Sequence, residues 1–156
     1  MTEQSTTTEV VPHSITVTRT IAASPSALYA AWTEPDRMRR WFATVVDADV
    51  RVGGRYRIEI HEDDGSVNGF TGEYLTLRPD EEVAFTFTHH SQTPADRISD
   101  ETVTVTFREV EPDRTEVAVT NRWTGPAVGP SDYATLREGW ELWISLLADH
   151  FGSARR

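Results

Sequence analysis

Residues 131–151, SDYATLREGWELWISLLADHF, carry the pattern that decides the fold. At 100° per residue, the large apolar side chains of this segment fall within an arc of roughly 100°. They are Tyr133, Leu136, Trp140, Trp143, Ile144, Leu147 and Phe151. The pattern predicts one long helix, about 30 Å in length, with a single apolar stripe that needs a partner. Leu142 and Leu146 lie off this stripe, where they would cover a sheet edge or form a contact between two copies of the chain.

The partner of that stripe comes earlier in the chain, as segments that alternate apolar and polar residues. They are HSITVTRTI (13–21), GRYRIEIHE (54–62), EVAFTFTHH (82–90), ETVTVTFRE (101–109) and RTEVAVTNRW (114–123). Alternation with period two is typical of antiparallel strands that have one buried and one solvated face. Pro79 and Pro112 lie between such segments and predict type I turns there.

Two short helices interrupt the strands near the N-terminus. One begins with Ser24 as N-cap and Pro25 at its first position, and the other spans residues 36–42. The order of elements predicts an α+β fold in which a curved antiparallel sheet of about six or seven strands wraps the C-terminal helix. We expect one domain at residues 13–152 after a polar, disordered leader at residues 1–12.

The composition excludes several classes of function. The formal net charge is −10, so the protein is expected to repel nucleic acids and anionic membranes. The absence of cysteine excludes thiolate chemistry, and the absence of lysine excludes a lysine Schiff base. No segment approaches the roughly 20 apolar residues of a membrane-spanning helix, and no signal peptide is evident. These features predict a cytoplasmic protein.

No motif for catalysis or metal binding is present in the sequence. The five histidines have no metal-ligand spacing, and neither H-E-x-x-H nor G-x-S-x-G occurs. VGG (52–54) lacks the spacing of a phosphate loop and indicates a bend before a strand. We therefore expect no metal and no cofactor, and we favour a binding protein over an enzyme. The identity of any catalytic residue stays open.

The stretch DRMRRWFA (36–43) places three arginines beside two aromatic residues. On a helix, Met38, Trp41 and Phe42 share one face and the arginines point elsewhere. The aromatic side chains would close one end of the space between sheet and helix, either as plain core or as cavity lining. In so acidic a chain, the arginines are expected to form a solvated face rather than a nucleic-acid site.

Some polar residues occupy strand positions whose parity predicts an inward side chain. His89 follows Val83-Phe85-Phe87, and Asn121 follows Val117-Val119 and precedes Trp123. Each polar group would orient a ligand in a cavity or lie at a strand end outside the core. Arg19 and Glu73 also have inward parity, and for these two we favour a strand end.

Four segments in a fixed order carry a resemblance to a known family. They are TEPDRMRRWF (33–42), RVGGRYR (51–57), GEYLTLRPDEEVAFTF (72–87) and GWELWISLL (139–147). The chain resembles the family named for the activator of the 90-kDa heat-shock protein's ATPase, within the START-like (SRPBCC) helix-grip superfamily that includes the major birch pollen allergen. The resemblance runs from about His13 to Phe151 and implies a cavity between sheet and helix. Many relatives place a histidine three residues before the Gly-Trp pair, where this chain has Leu136, so no polar role is carried over to that position.

Three functions follow from the residues and the resemblance, in descending order. The first is binding of a small hydrophobic or aromatic molecule without catalysis. The second is a cyclase- or aromatase-like enzyme that uses His89, Asn121 or Glu73 to move protons. The third is a co-chaperone-like interaction module with a role in the stress response; it is ranked last because only a dozen polar residues precede the domain here. The residues expected to line the cavity are Trp41, Phe42, Phe85, Phe87, His89, Asn121, Trp123, Tyr133, Leu136, Trp140 and Trp143.

Overall fold

The sheet and the long helix expected from the alternation are present in the computed structural model, which describes residues 10–90, 99–126 and 130–154. The strands are β1 (Val10–Ile21), β2 (Val45–Ala48), β3 (Arg55–His61), β4 (Val67–Arg78), β5 (Glu82–Thr86), β6 (Thr88–His89), β7 (Ser99–Glu111) and β8 (Arg114–Pro126). The helices are α1 (Pro25–Thr33), α2 (Pro35–Met38) and α3 (Pro130–Ala154). The described residues thus form the predicted α+β, helix-grip arrangement.

All strand pairs described are antiparallel, in the order β1-β8-β7-β5-β4-β3-β2, with β6 paired to β4. The sheet has eight strands rather than six or seven. Two features account for the difference: β2 has only four residues, too few for alternation to reveal it, and the single predicted segment 82–90 is divided into β5 and β6.

The core lies between the inner face of the sheet and α3. Val83, Val103, Val105 and Val117 are completely buried on the sheet side. On α3 the predicted stripe is buried at Trp140, Ile144 and Leu147, and only half-buried at Tyr133, Trp143 and Phe151. Leu136, at the N-terminal part of the stripe, is 36% exposed. The helix therefore packs tightly along its C-terminal half and less tightly before Trp140.

The ends of the fold lie slightly outside the expected limits. β1 begins at Val10, so residues 10–12 pair with β8 although they were assigned to the leader. α3 continues to Ala154, beyond the expected end at residue 152. Residues 1–9 lie outside the described part of the chain, and the disordered leader stays a prediction for them.

The two short helices differ in how well the sequence predicted them. Ser24 caps α1 as expected, since its Oγ accepts a hydrogen bond of 3.1 Å from the Ala27 amide. The second helix was predicted over 36–42, but α2 ends at Met38. The chain then turns so that Trp41 and Phe42 both enter the core, and the Trp41 indole donates to the Ala31 carbonyl oxygen at 2.9 Å. These tertiary contacts replace another helical turn.

Both proline turns differ from the predicted type I. Asp80 has a φ of 64° and Asp113 a φ of 60°. Each follows a proline, and a positive φ at the second central residue is the mark of a type II turn. Type II turns usually have glycine at this position. Aspartate can take its place because it tolerates the left-handed conformation better than most residues with a side chain.

Gly72 allows the Tyr56 side chain of β3 to cross over β4 and to reach β5. The Tyr56 side chain passes over Gly72, its partner in the sheet, and its hydroxyl donates to the Thr86 carbonyl oxygen at 2.6 Å. A Cβ at residue 72 would lie 2.0 Å from that oxygen and 2.7 Å from the Tyr56 hydroxyl. The crossing therefore requires glycine at this position.

We expect Gly72→Ala to lower the free energy of unfolding by about 3 kcal/mol or more, because both obstructing groups are held in place. Gly69→Ala on the same strand is the matched control, since its Cβ would approach nothing closer than the Ile58 carbonyl oxygen at 4.0 Å. Urea denaturation of both variants measures the difference. Equal stabilities would show that the Tyr56 crossing relaxes without cost.

Candidate functional site

A cavity of about 410 Å³ lies between α3 and the inner face of the sheet. The sheet side contributes residues from β3, β4, β6, β7 and β8 and from the segments that follow β3 and β5. The lining residues are Ile60, Glu62, Phe70, Phe87, His89, Glu101, Asn121, Thr135, Leu136, Gly139, Trp140, Leu142, Trp143 and Leu146. The cavity is thus apolar and aromatic over most of its wall, with a few polar groups.

Gly139 occupies the middle of the helical wall of this cavity. The other α3 residues that line it lie three, four or seven positions away or directly beside Gly139, and so surround it on one helical face. Apart from its chain neighbours and the adjacent helix backbone, no atom of the described residues lies within 4 Å of a Cβ placed on Gly139. The missing side chain therefore leaves open space above the helix backbone at the centre of the wall.

Aromatic rings form the sheet-side wall and meet two tryptophans of α3. The ring of Phe70 stacks between Phe87 and His89, with ring centroids 4.7 and 4.5 Å away. Trp143 approaches Phe70 edge-on at 5.7 Å and lies 4.9 Å from Trp140. The wall therefore presents both faces and edges of aromatic rings.

Three side chains form a hydrogen-bonded chain from the helix to the sheet. Trp140 Nε1 donates to Asn121 Oδ1 at 3.2 Å, and Asn121 Nδ2 donates to Glu101 Oε2 at 3.0 Å and to the Thr102 carbonyl oxygen at 3.1 Å. An indole N–H only donates and a carbonyl oxygen only accepts, so the orientation of the Asn121 amide is unambiguous. Glu101 Oε2 therefore accepts a hydrogen bond from Asn121.

Glu101 is the most strongly perturbed carboxyl group at the cavity. Burial raises its pKa to about 7, and the hydrogen bond from Asn121 opposes this rise only in part. No salt bridge to Glu101 occurs among the described residues. A carboxyl group in this state exchanges its proton near neutral pH.

His89 occupies the sheet side of the same cavity. Its pKa is lowered by burial and, to a smaller extent, by the charge of His90. His89 Nε2 lies 3.4 Å from Asn68 Oδ1. His90 is on the opposite face, as the parity predicted, with its Nε2 2.6 Å from Thr71 Oγ1. His89 is therefore a neutral, half-buried polar group above an aromatic wall.

Six of the eleven residues expected at the cavity line it: Phe87, His89, Asn121, Leu136, Trp140 and Trp143. Phe42 and Phe85 instead line a separate void of about 10 Å³ deeper in the core, large enough for about one water molecule. Trp41 is buried beside Trp32, with ring centroids 4.8 Å apart. These three aromatic residues close the end of the fold as core.

Trp123 and Tyr133 belong to a different cluster, away from the cavity lining. Trp123 stacks on the buried His13 ring at 5.2 Å, and His13 Nδ1 lies 2.5 Å from the Tyr133 hydroxyl. The inward parity of Trp123 was correct, but β8 carries it past the end of the cavity. The parity of a strand gives a face and not a position along it.

Glu73 does not face the cavity, contrary to its parity. The ladder between β4 and β5 is irregular between Tyr74 and Thr76, and this bulge reverses the parity before and after it. Tyr74 is buried and Glu73 is exposed. Arg19 is exposed near the end of β1, as favoured for it, whereas Glu73 lies within β4 and not at a strand end. The described geometry therefore removes Glu73 from the enzyme alternative.

The arginines of residues 37–40 form an exposed face, as expected. Arg37, Arg39 and Arg40 are solvent-exposed, and Arg37 Nε bonds to Glu34 Oε1 at 2.7 Å. Arg39 pairs with Asp36 one helical turn before it. These local ion pairs, each between residues three positions apart, account for two of the three cationic groups without any ligand.

Glu101, Phe70 and Gly139 are the important cavity residues that sequence reasoning missed. Glu101 shares parity with Val103, Val105 and Phe107, so the rule that identified Asn121, extended backwards along its strand, would have found it. Gly139 could not be found this way, because a glycine adds nothing to an apolar stripe.

The described residues contain no group of three or more metal-ligating side chains. Among their helices, none is long and apolar enough to cross a membrane.

A curved antiparallel sheet that encloses one long helix, with a cavity between them, defines a helix-grip protein. The model of the family described as "Activator of Hsp90 ATPase homolog 1-like protein" matches residues 22–152. The chain belongs to this family. No curated protein matches it.

Solved structures of similar proteins share the fold over nearly the whole chain. A protein of unknown function from Staphylococcus aureus, SA2116, is 24% identical, covers 94% of this chain and 98% of its own, and has a TM-score of 0.77. An uncharacterized protein from Rhizobium leguminosarum is 22% identical over 95% of this chain and 99% of its own, with a TM-score of 0.74. The Aha1 dimer from Colwellia psychrerythraea is 21% identical over 89% and 96%, with a TM-score of 0.67.

Proposed function

We propose that this protein binds a small hydrophobic or aromatic molecule between the sheet and α3. The observation that carries the proposal is the cavity of about 410 Å³, walled by aromatic rings and bearing a few polar groups. Pockets for small organic ligands commonly have volumes of about 300–1,000 Å³ and this kind of lining. Native mass spectrometry of freshly purified protein would detect a retained ligand as extra mass that is lost on denaturation.

Gly139 offers a direct test of where such a molecule binds. We expect Gly139→Trp to fill the cavity and to abolish binding of an aromatic probe such as naphthylmethanol, measured by calorimetric titration. Gly139→Ala is the matched control: one methyl group occupies little of the volume, so binding should persist, while the helix gains about 1 kcal/mol in stability. Unchanged binding by the folded Gly139→Trp variant would place the ligand elsewhere.

A second candidate, a cavity enzyme, is favoured by one observation. Glu101 and His89 line the same cavity, and burial gives Glu101 a pKa of about 7, which suits a group that accepts and returns a proton. With Glu73 outside the cavity, this enzyme would use Glu101 in its place. Conversion of a bound molecule by the wild type but not by Glu101→Gln would favour catalysis over plain binding.

The number of subunits is part of the same proposal. The similar Colwellia protein is a dimer, and Leu142 and Leu146 are 65% and 42% exposed at the cavity wall. We propose that two copies of the chain associate through this face. The native mass spectrum that tests for a ligand also counts the subunits, and a monomer at micromolar concentration would contradict the dimer.

A further inference from the structure

We infer that the molecule bound in this cavity is an aromatic or hydrophobic amine, held as a cation beside Glu101. The inference rests on the proposed function, because it names the chemistry of the ligand that the same cavity would hold. It draws on three independent features: the charges around the wall, the unused oxygen of Glu101 and the aromatic faces.

The ionisable residues of the wall favour a cation over an anion. They are Glu62, His89 and Glu101. Among the described residues that line the cavity there is no arginine, although arginine supplies every basic side chain apart from histidine in this sequence. An anionic ligand would meet two carboxyl groups and no fixed positive charge from this described part of the wall, and its burial without a partner would be costly.

Glu101 has one oxygen committed to the protein and one available to a ligand. Oε2 accepts the hydrogen bond from Asn121 Nδ2, whose direction is fixed by Trp140 and the Thr102 carbonyl group. Oε1 has no hydrogen-bond partner among the described residues, and neither oxygen has a cationic neighbour there. An ammonium group in the cavity would supply the counter-charge that this half-buried carboxylate lacks.

The aromatic residues of the wall also favour a cationic ligand. Phe70, Phe87, Trp140 and Trp143 line the cavity together with Glu101. The faces of such rings carry partial negative charge and attract ammonium groups, most strongly where water is excluded. An aromatic amine would therefore place its ring among apolar side chains and its cation near both rings and carboxylate.

The main alternative is a neutral ligand that accepts a hydrogen bond from protonated Glu101. The Asn121 N–H group donates to Glu101, and this hydrogen bond is stronger to the ionised carboxylate than to the protonated acid. A cationic ligand stabilises the same ionised form, so the protein and the amine act together. A neutral acceptor would leave the Asn121 hydrogen bond in place but would not gain this charge assistance.

Three probes of nearly equal size separate these alternatives: naphthylmethylamine, naphthylmethanol and naphthoate. We expect calorimetric titration of the full chain at about pH 8 to show the amine binding about tenfold more tightly than the alcohol, with naphthoate the weakest. Glu101→Gln should weaken binding of the amine about tenfold and so remove the preference for the amine over the alcohol. Glu62→Gln, at the same cavity, is the matched control and should retain most of the preference.

The outcomes distinguish this inference from the proposed function. An alcohol that binds as tightly as the amine, or a preference that survives Glu101→Gln, would overturn the inference and leave the cavity as a binding site. Naphthoate binding most tightly would overturn it as well. If none of the three probes binds at millimolar concentration, both the inference and the proposed function fail.

Discussion

Asn121→Ala is expected to lower the free energy of unfolding by about 3 kcal/mol. The Asn121 side chain is 1% exposed and joins Trp140 on the helix to Glu101 and the Thr102 carbonyl group on the sheet. Its truncation leaves the buried Trp140 N–H without an acceptor and removes the only hydrogen bond described for the Glu101 carboxyl group. The loss of these hydrogen bonds lowers stability by more than their net contribution to folding, because the remaining partners stay buried without a hydrogen bond.

Asn68→Ala is the matched control for this experiment. Asn68 also lies beside the cavity wall and hydrogen-bonds to Glu62 and His89, but it is only half-buried, so water replaces its partners. We expect a cost below about 1 kcal/mol for it. Urea denaturation at pH 7 compares the two variants. A cost for Asn121→Ala no larger than that of Asn68→Ala would contradict the role of Asn121 as the link between helix and sheet.

Glu101→Gln is expected to stabilise the fold at alkaline pH and to leave it nearly unchanged at acidic pH. Burial raises the folded-state pKa of Glu101 from 4.5 to about 7. The folded protein therefore holds a proton that the unfolded chain has lost between these values, and the stability due to Glu101 falls as the pH rises from about 4.5 to 7. Glutamine keeps the acceptor for Asn121 without the charge, so the variant avoids this loss.

The expected gain for Glu101→Gln at pH 8 is about 2 kcal/mol. The full pKa shift would correspond to about 3 kcal/mol, and partial exposure to water in the cavity reduces it. Unfolding midpoints of wild type and variant, compared at intervals from pH 4.5 to 8, isolate the contribution of Glu101 from that of other titrating groups. Parallel curves over this range would show that Glu101 titrates as an ordinary exposed carboxyl group.

Periodicity predicted the elements well wherever they were long enough to repeat their pattern. Residues 101–109 and 114–123 alternate over several pairs, and both lie in long strands of the structure. The stripe from Tyr133 to Phe151 lies on α3. The segment 82–90 was predicted as one strand, and no period marks the break that divides it into β5 and β6. The fold class follows from the long elements alone, which is why it was predictable.

The cavity residues were harder to predict, because they depend on breaks in these patterns. The bulge in β4 reverses the parity near Glu73, and nothing in the local sequence marks the extra residue. Trp123 has the correct face but lies beyond the cavity, since its position along the strand depends on pairing with β1. Asn121 was found because it follows two regular positions. Glu101 has the parity of Val103 and Val105, but it comes before these regular positions of its strand rather than after them, so the rule has to be extended backwards to find it.

At Gly139 the space for a bound molecule can change without a change in core packing, whereas at most residues of a protein core the two change together. The residues by which α3 holds the sheet are Trp140, Ile144 and Leu147, and the glycine contributes no side chain to these contacts. A change of residue at 139 alters the room available to a guest molecule without removing a contact from the core. The size of the guest can thus change here without loss of core packing, so a single codon is enough for new selectivity.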